Sequence, residues 1–181
     1  MKTKLPFGVS VLIALVLVAF GLLYGTYSGY REDRAQVTSL LESENGLMDV
    51  LSYRGADGMN LRVVALRHLD AGDEDVLNMQ NAAAVLQSST AAIGERAAAD
   101  KALEEAVLAV SAKLQQAPSF QQSERDQKYL DMLTADLNSL SASTTVSAYN
   151  QAAADFNAQL ASPLVGDLAQ LLGVTECPLF E

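Results

Sequence analysis

The chain has 181 residues, with 22 acidic against 12 basic side chains, a net charge of −10, four prolines, eleven glycines and a single cysteine. Every acid lies beyond Tyr30, where ten cations oppose 22 acids for a net −12. A surface of that sign repels phosphates and lacks the basic stripe that releases counterions from DNA or RNA, so nucleic acid is excluded as a partner. The length suits one membrane segment and one domain of about 150 residues. The wealth of Ala, Leu, Gln and Ser after residue 30 favours helices.

Residues 1–6 form a basic tail with Lys2 and Lys4. From Leu5 to Tyr30 no charge occurs, and Phe7 to Tyr24 is dominated by Leu, Ile, Val and Phe. About 20 such residues span a bilayer core. We therefore expect a transmembrane anchor over 7–27, with Tyr24, Tyr27 and Tyr30 at the interface. The rival is a cleaved signal peptide, but the run is long and Gly25 to Gly29 offers no small-x-small cleavage site. Lys2 and Lys4 are nearly balanced by Arg31 and Arg34. The short basic tail tips the orientation toward a domain outside the cytoplasm, in the bacterial cytoplasmic (inner) membrane.

Apolar residues Val37, Leu40, Leu41, Leu47, Met48 and Leu51 recur at helical spacing, so the anchor helix should continue to about Tyr53. Gly55 to Gly58 is the first expected break, a second apolar pattern runs from Met59 to Leu69, and Ala71 to Asp73 is the second break, with Asp73 as N-cap. Either break is alternatively a kink in one longer helix. A connecting region is expected over 88–96. Leu103, Val107, Val110 and Leu114 then mark a helix ended by Pro118. Leu130, Leu133, Leu137 and Leu140, followed by Tyr149, Ala153, Phe156 and Leu160, predict one long helix weakened at Ser141 to Thr145. Pro163 permits a short last helix, expected to cover the open end of the bundle, and Gly173 is placed to cap it. The fold class is all-α: a transmembrane helix continuing into an antiparallel three- to four-helix bundle with a short C-terminal helix.

The ordered set Tyr149-Asn150, Phe156-Asn157, Pro163, Gly173 and Phe180-Glu181 resembles the LemA family, and Arg54, Asp57 and Asn60 fit a fainter stretch of the same pattern. The resemblance, that of a divergent member, implies a LemA-like helical domain over 28–181 behind a membrane anchor, with no defined chemistry. Independently of it, Asn150 and Asn157 fall on one helix face, where buried amides set bundle register or, alternatively, bind a ligand.

Nothing in the sequence points to catalysis. His68 is the sole histidine and has no nitrogen or sulfur partner nearby for a metal, so it reads as a surface or helix-end residue. Cys177 reads as a half-buried apolar residue, with an intermolecular disulfide or a reactive thiol as the alternative. Acid pairs at 73–75 and 104–105 read as a helix start and a solvated face. Arg54, Arg62 and Arg67 do not share a helix stripe, and no phosphate loop or nucleophile elbow occurs. No cofactor is expected. Two functions are open: a membrane-anchored scaffold that binds a protein partner or itself, and a sensory ligand-binding domain that signals through a separate partner.

Overall fold

A computed structural model describes residues 6–141 and 144–181, and all regular structure among them is helical. Helix α1 spans Phe7–Glu42, α2 Leu47–Ala65, α3 Glu74–Gln87, α4 Ile93–Gln116, α5 Pro118–Gln121, α6 Glu124–Ser141, α7 Thr145–Leu160 and α8 Val165–Leu171.

Helix α1 does not run on to Tyr53. It ends at Glu42, and Asn45 takes a left-handed φ of 63°. Asparagine is one of the few residues that visits this region without large cost. Gly46 follows in a crowded turn, where a Cβ would lie 2.8 Å from the Leu41 and Ser43 carbonyl oxygens. Asp49, in the first turn of the next helix, holds that turn by accepting from Asn45 N at 3.0 Å. The stop signal was thus Asn45-Gly46, lying inside an otherwise helical apolar pattern.

The expected break at Gly55 to Gly58 lies instead inside α2. These glycines serve packing: a Cβ on Gly55 would meet the Ala83 carbonyl oxygen at 2.8 Å, and one on Gly58 would meet Leu103 Cδ1 at 2.7 Å. Their absence of side chains lets α2 lie close against α3 and α4. Helix α2 also ends earlier than the apolar pattern to Leu69, at Ala65. Asp73 caps α3 as expected, accepting from Asp75 N at 3.0 Å and Val76 N at 3.4 Å. The connection to α4 is shorter than expected, because Glu95 accepts from Ala92 N at 2.8 Å and starts that helix at Ile93.

Two compact units result. The larger comprises residues 39–151 and 178–181. In it α2 packs on α3, α4 and α6, α3 packs on α4, and α5 joins α4 to α6. Leu47, Leu51, Leu61, Met79, Leu86, Leu103, Val110 and Leu114 are wholly or almost wholly buried there. At about 1.5–3 kcal/mol for each such side chain, this core carries the unit. Leu130, Leu133 and Leu137 of the predicted seam are buried as well. The expected single helix through Ser141 to Thr145 falls partly on residues 142–143, outside the described residues.

The smaller unit comprises residues 1–38 and 152–177. Its core is Val37, Ala153, Phe156, Leu160, Ala169, Val174 and Cys177. Tyr30 is drawn into it: its ring meets Phe156 edge-on at 6.2 Å and its hydroxyl donates to the Gln159 carbonyl oxygen at 2.9 Å. The short α8 does not bury its apolar residues, contrary to expectation. Gly166 and Ala169 are its buried residues and Leu168 is half-buried, because α8 presses on the end of α7 where a Cβ at position 166 would strike the Leu160 carbonyl oxygen.

Candidate functional site

Helix α2 carries the polar residues that the larger unit uses to order its neighbours. Arg54 is 3% exposed, and its Nε donates to Asp100 Oδ1 of α4 at 2.5 Å while Nη1 donates to the Leu137 carbonyl oxygen of α6 at 2.9 Å. Burial pushes the Asp100 carboxyl above its ordinary value, and the Arg54 guanidinium only partly offsets this. Asp57 is likewise raised, first by burial and then by the neighbouring Asp136 carboxylate, against a hydrogen bond from Asn60. Arg62 keeps a buried Nε with no partner among the described residues. Arg54 and Arg62 of α2 and Arg67 just beyond its end do not converge, as the spacing predicted: Arg54 is held by Asp100 and Arg67 by Asp126.

His68 is not a surface residue. Its side chain is 6% exposed, with Nε2 2.9 Å from Asp126 Oδ2, Nδ1 3.0 Å from Ser119 Oγ, and the ring edge-on to Phe120. Asp126 also bonds Arg67, and it accepts from Ser123 Oγ at 2.9 Å while its own N–H donates back to Ser123 Oγ. Ser119, His68 and Asp126 thus stand in hydrogen-bonded series, the order of a nucleophile, a base and an orienting acid. The Asp126 charge, however, is shared among three donors. The groove on this face opens over Arg67 and Tyr129, not over Ser119. The arrangement locks the end of α2 onto α5 and the start of α6.

That groove, about 330 Å³, runs between Asn60 and Val63 of α2, with Arg67 just beyond its end, and Arg125, Tyr129 and Met132 of α6. Val63 and Met132 are 52% and 51% exposed, so apolar surface stands in water. The Arg125 guanidinium lies 5.4 Å from the centre of the Tyr129 ring. Among the described residues no carboxylate lines the groove, on a chain of net charge −10. Exposed Tyr, Met and Arg in one concavity are the residue types enriched where proteins meet.

The C-terminal motif residues form clasps on the tail. In the larger unit Tyr149 is buried and donates to the Pro178 carbonyl oxygen at 2.6 Å, and Asn150 both donates to the Phe180 carbonyl oxygen and accepts from Phe180 N, each at 2.9 Å. In the smaller unit Asn157 makes the same pair of bonds to Cys177, each at 2.8 Å. The two amides therefore bond tail backbone. Phe156 is buried beside Tyr30, Pro163 accepts from Val165 N at 2.9 Å, and Gly173, at φ 90°, closes α8. Cys177 is buried, and burial pushes its thiol up against the opposing effect of Arg34. Among the described residues no three His, Cys, Asp or Glu side chains form a group that could hold a metal.

Arg96, Asp100, Asp126 and Ser119 were not singled out by the sequence. Arg96 follows Glu95 in what reads as a solvated helix start, and the ion pairs of Arg54, Arg67 and His68 span 46 to 59 residues. Only Ser123, three residues before Asp126, carried a local signal, that of a capping box.

The carboxyl shifts give opposite pH dependences. Asp57 is raised in the folded chain, so its ionisation opposes folding; the penalty is absent below about pH 4 and complete above the raised value. Asp126 is lowered: burial alone would raise it, but the bonds from His68, Ser123 and Arg67 outweigh this. Its stabilisation is present above about pH 4 and is lost as pH falls through the lowered value. In urea unfolding of the full chain in detergent, Asp57→Asn is expected to match or exceed the wild type at pH 7, with the difference vanishing in acid. Asp126→Asn is expected to be less stable at pH 7 and to converge with the wild type as pH falls.

No protein-family model, curated protein or solved structure matches the chain.

Proposed function

We propose that the chain is a membrane-anchored helical interaction module of the bacterial envelope, a divergent LemA-like protein without a catalytic step. The observation that carries the reading is α1, which is long and apolar enough to cross a membrane. Its Leu12, Leu15, Val16, Leu17, Phe20 and Leu22 are all 60–67% exposed apart from the chain's own packing. A soluble fold does not leave such a column in water. In this reading residues 7–27 span the inner membrane and the remainder forms an antiparallel bundle outside the cytoplasm.

The α2/α6 groove is the surface offered to a protein partner, and its Arg125 favours an acidic one. A photo-crosslinker at Tyr129, activated in intact membranes, is expected to yield a discrete protein adduct that Arg125→Glu abolishes. No protein adduct, together with saturable protection by a small ligand, would favour a sensory domain instead. Removal of residues 7–27 is expected to move the chain from the membrane to the soluble fraction.

A further inference from the structure

Helix α8 and its leading turn leave Leu164, Val165, Leu171 and Leu172 exposed, with Leu168 half-buried. Leu164 and Leu171 are each 83% exposed, Val165 is 50% and Leu172 39%, whereas the inner face is Gly166 and Ala169. Short helices of soluble domains pack the other way round. The turn that starts α8 reinforces the display. Leu164 takes φ 68° and ψ −61°, bridged by the bond from Val165 N to the Pro163 carbonyl oxygen at 2.9 Å. That is a strained three-residue turn for a bulky side chain. Strain of this kind persists where the surroundings, or a function, require it.

Contacts within the smaller unit fix where this surface lies along α1. Asn157 is bonded to Cys177, whose thiol interacts with Arg34, whereas Gln159 and Phe156 meet Tyr30. The last turns of α7 therefore stand at the level of Tyr30. Helix α8 follows at once, held to the end of α7 by Gln170 Nε2 donating to the Leu160 carbonyl oxygen at 2.9 Å. Tyr30 stands only about 9 Å, six residues at 1.5 Å each, beyond Tyr24.

We infer that α8 and its leading turn lie in the membrane interface beside α1, with Leu164, Val165, Leu171 and Leu172 among the lipid acyl chains. The inference rests on α1 spanning the bilayer. A bilayer is the occupant that the exposed apolar residues of α1, in the same unit, already call for. The segment has no cation, so the apolar side chains alone would hold it, and binding would not depend on anionic lipid. Asp167 does not oppose insertion from the apolar side, because its carboxylate turns back to accept from Leu164 N at 3.3 Å.

The chain contains no tryptophan, so one introduced residue reports without background. Full-length Leu171→Trp, Val165→Trp and Leu15→Trp would be placed in phosphatidylcholine nanodiscs with acyl chains brominated either near the headgroup or near the bilayer centre. Circular dichroism would verify the fold of each variant, and a free tryptophan amide would serve as the hydrated reference. Leu171→Trp and Val165→Trp are expected to emit to the blue of the reference and to be quenched severalfold more by shallow than by deep bromines. Leu15→Trp is expected to show the reverse depth preference. Quenching of Leu15→Trp alone would overturn the placement of α8 and leave the anchor intact. Quenching of none would overturn the anchor reading itself. A blue-shifted, unquenched Leu171→Trp whose spectrum changes on dilution would assign the surface to a second copy and overturn the inference.

Discussion

Replacement of Arg96 by alanine is expected to lower the unfolding free energy of the full chain by about 3–4 kcal/mol. Arg96 is 2% exposed and has no carboxylate partner among the described residues. Its guanidinium instead donates to three carbonyl oxygens: Leu86 at 2.7 Å, Ala91 at 3.1 Å, and Ser88. Leu86 and Ser88 sit at the C-terminal end of α3, where carbonyl groups lack helical partners and carry the negative end of the helix dipole. One side chain thus satisfies the end of α3 and ties it to the start of α4. Burial lowers the pKa of Arg96, yet the group stays charged at any physiological pH. Each charge-assisted bond contributes about 1.5–3 kcal/mol, and the three share one donor group, so the total falls short of their sum. Arg96→Lys is expected to recover little, because an ammonium cannot spread three donors across a planar fork. Urea unfolding in detergent would measure both variants. A loss below about 1 kcal/mol for Arg96→Ala would mean that water replaces the guanidinium at these carbonyls.

Where the chain was legible, the signal was local. The stepped apolar residues Leu103 to Leu114 and Tyr149 to Leu160 are buried because a helical period records which face meets the core. Asp73 and Gly173 were readable since caps depend on a few consecutive residues. The errors came from residues with two physical uses. Gly55 and Gly58 suit a break as well as a close helix crossing, and only the presence of Ala83 and Leu103 opposite them decides. Asn45-Gly46 punctuates a pattern whose apolar spacing carries on past it. For α8 the period was right, but which side it faced was not: the same leucines serve a core or a lipid interface. The polar cluster was hidden for a different reason. Arg54 with Asp100 and His68 with Asp126 become neighbours only once α2 packs on α4 and α6, and nothing in their local sequence marks them as pairs.

Loss of Asp100 is expected to be at least as damaging as loss of Arg96. In Asp100→Ala the Arg54 guanidinium remains buried with the Leu137 carbonyl oxygen as its one partner among the described residues, and an uncompensated buried charge costs about 3–5 kcal/mol. The pair itself is not strongly stabilising. Asp100 stays raised despite its bond to Arg54, so burial outweighs the attraction between the two charges. Removal of both charges, as in Arg54→Met with Asp100→Leu, is therefore expected to cost much less than the sum of the single changes. A double-mutant cycle in urea would read this difference directly. Additive losses would instead mean that the two residues act independently, and that the close approach of Arg54 Nε to Asp100 contributes nothing specific. The specific role is orientation: Arg54 joins α2 to α4 through Asp100 and to α6 through Leu137, and α2 and α6 are the walls of the groove. If that groove binds the partner, the double variant should fold yet give a weaker crosslink from Tyr129, because Val63 and Met132 would no longer be held in register.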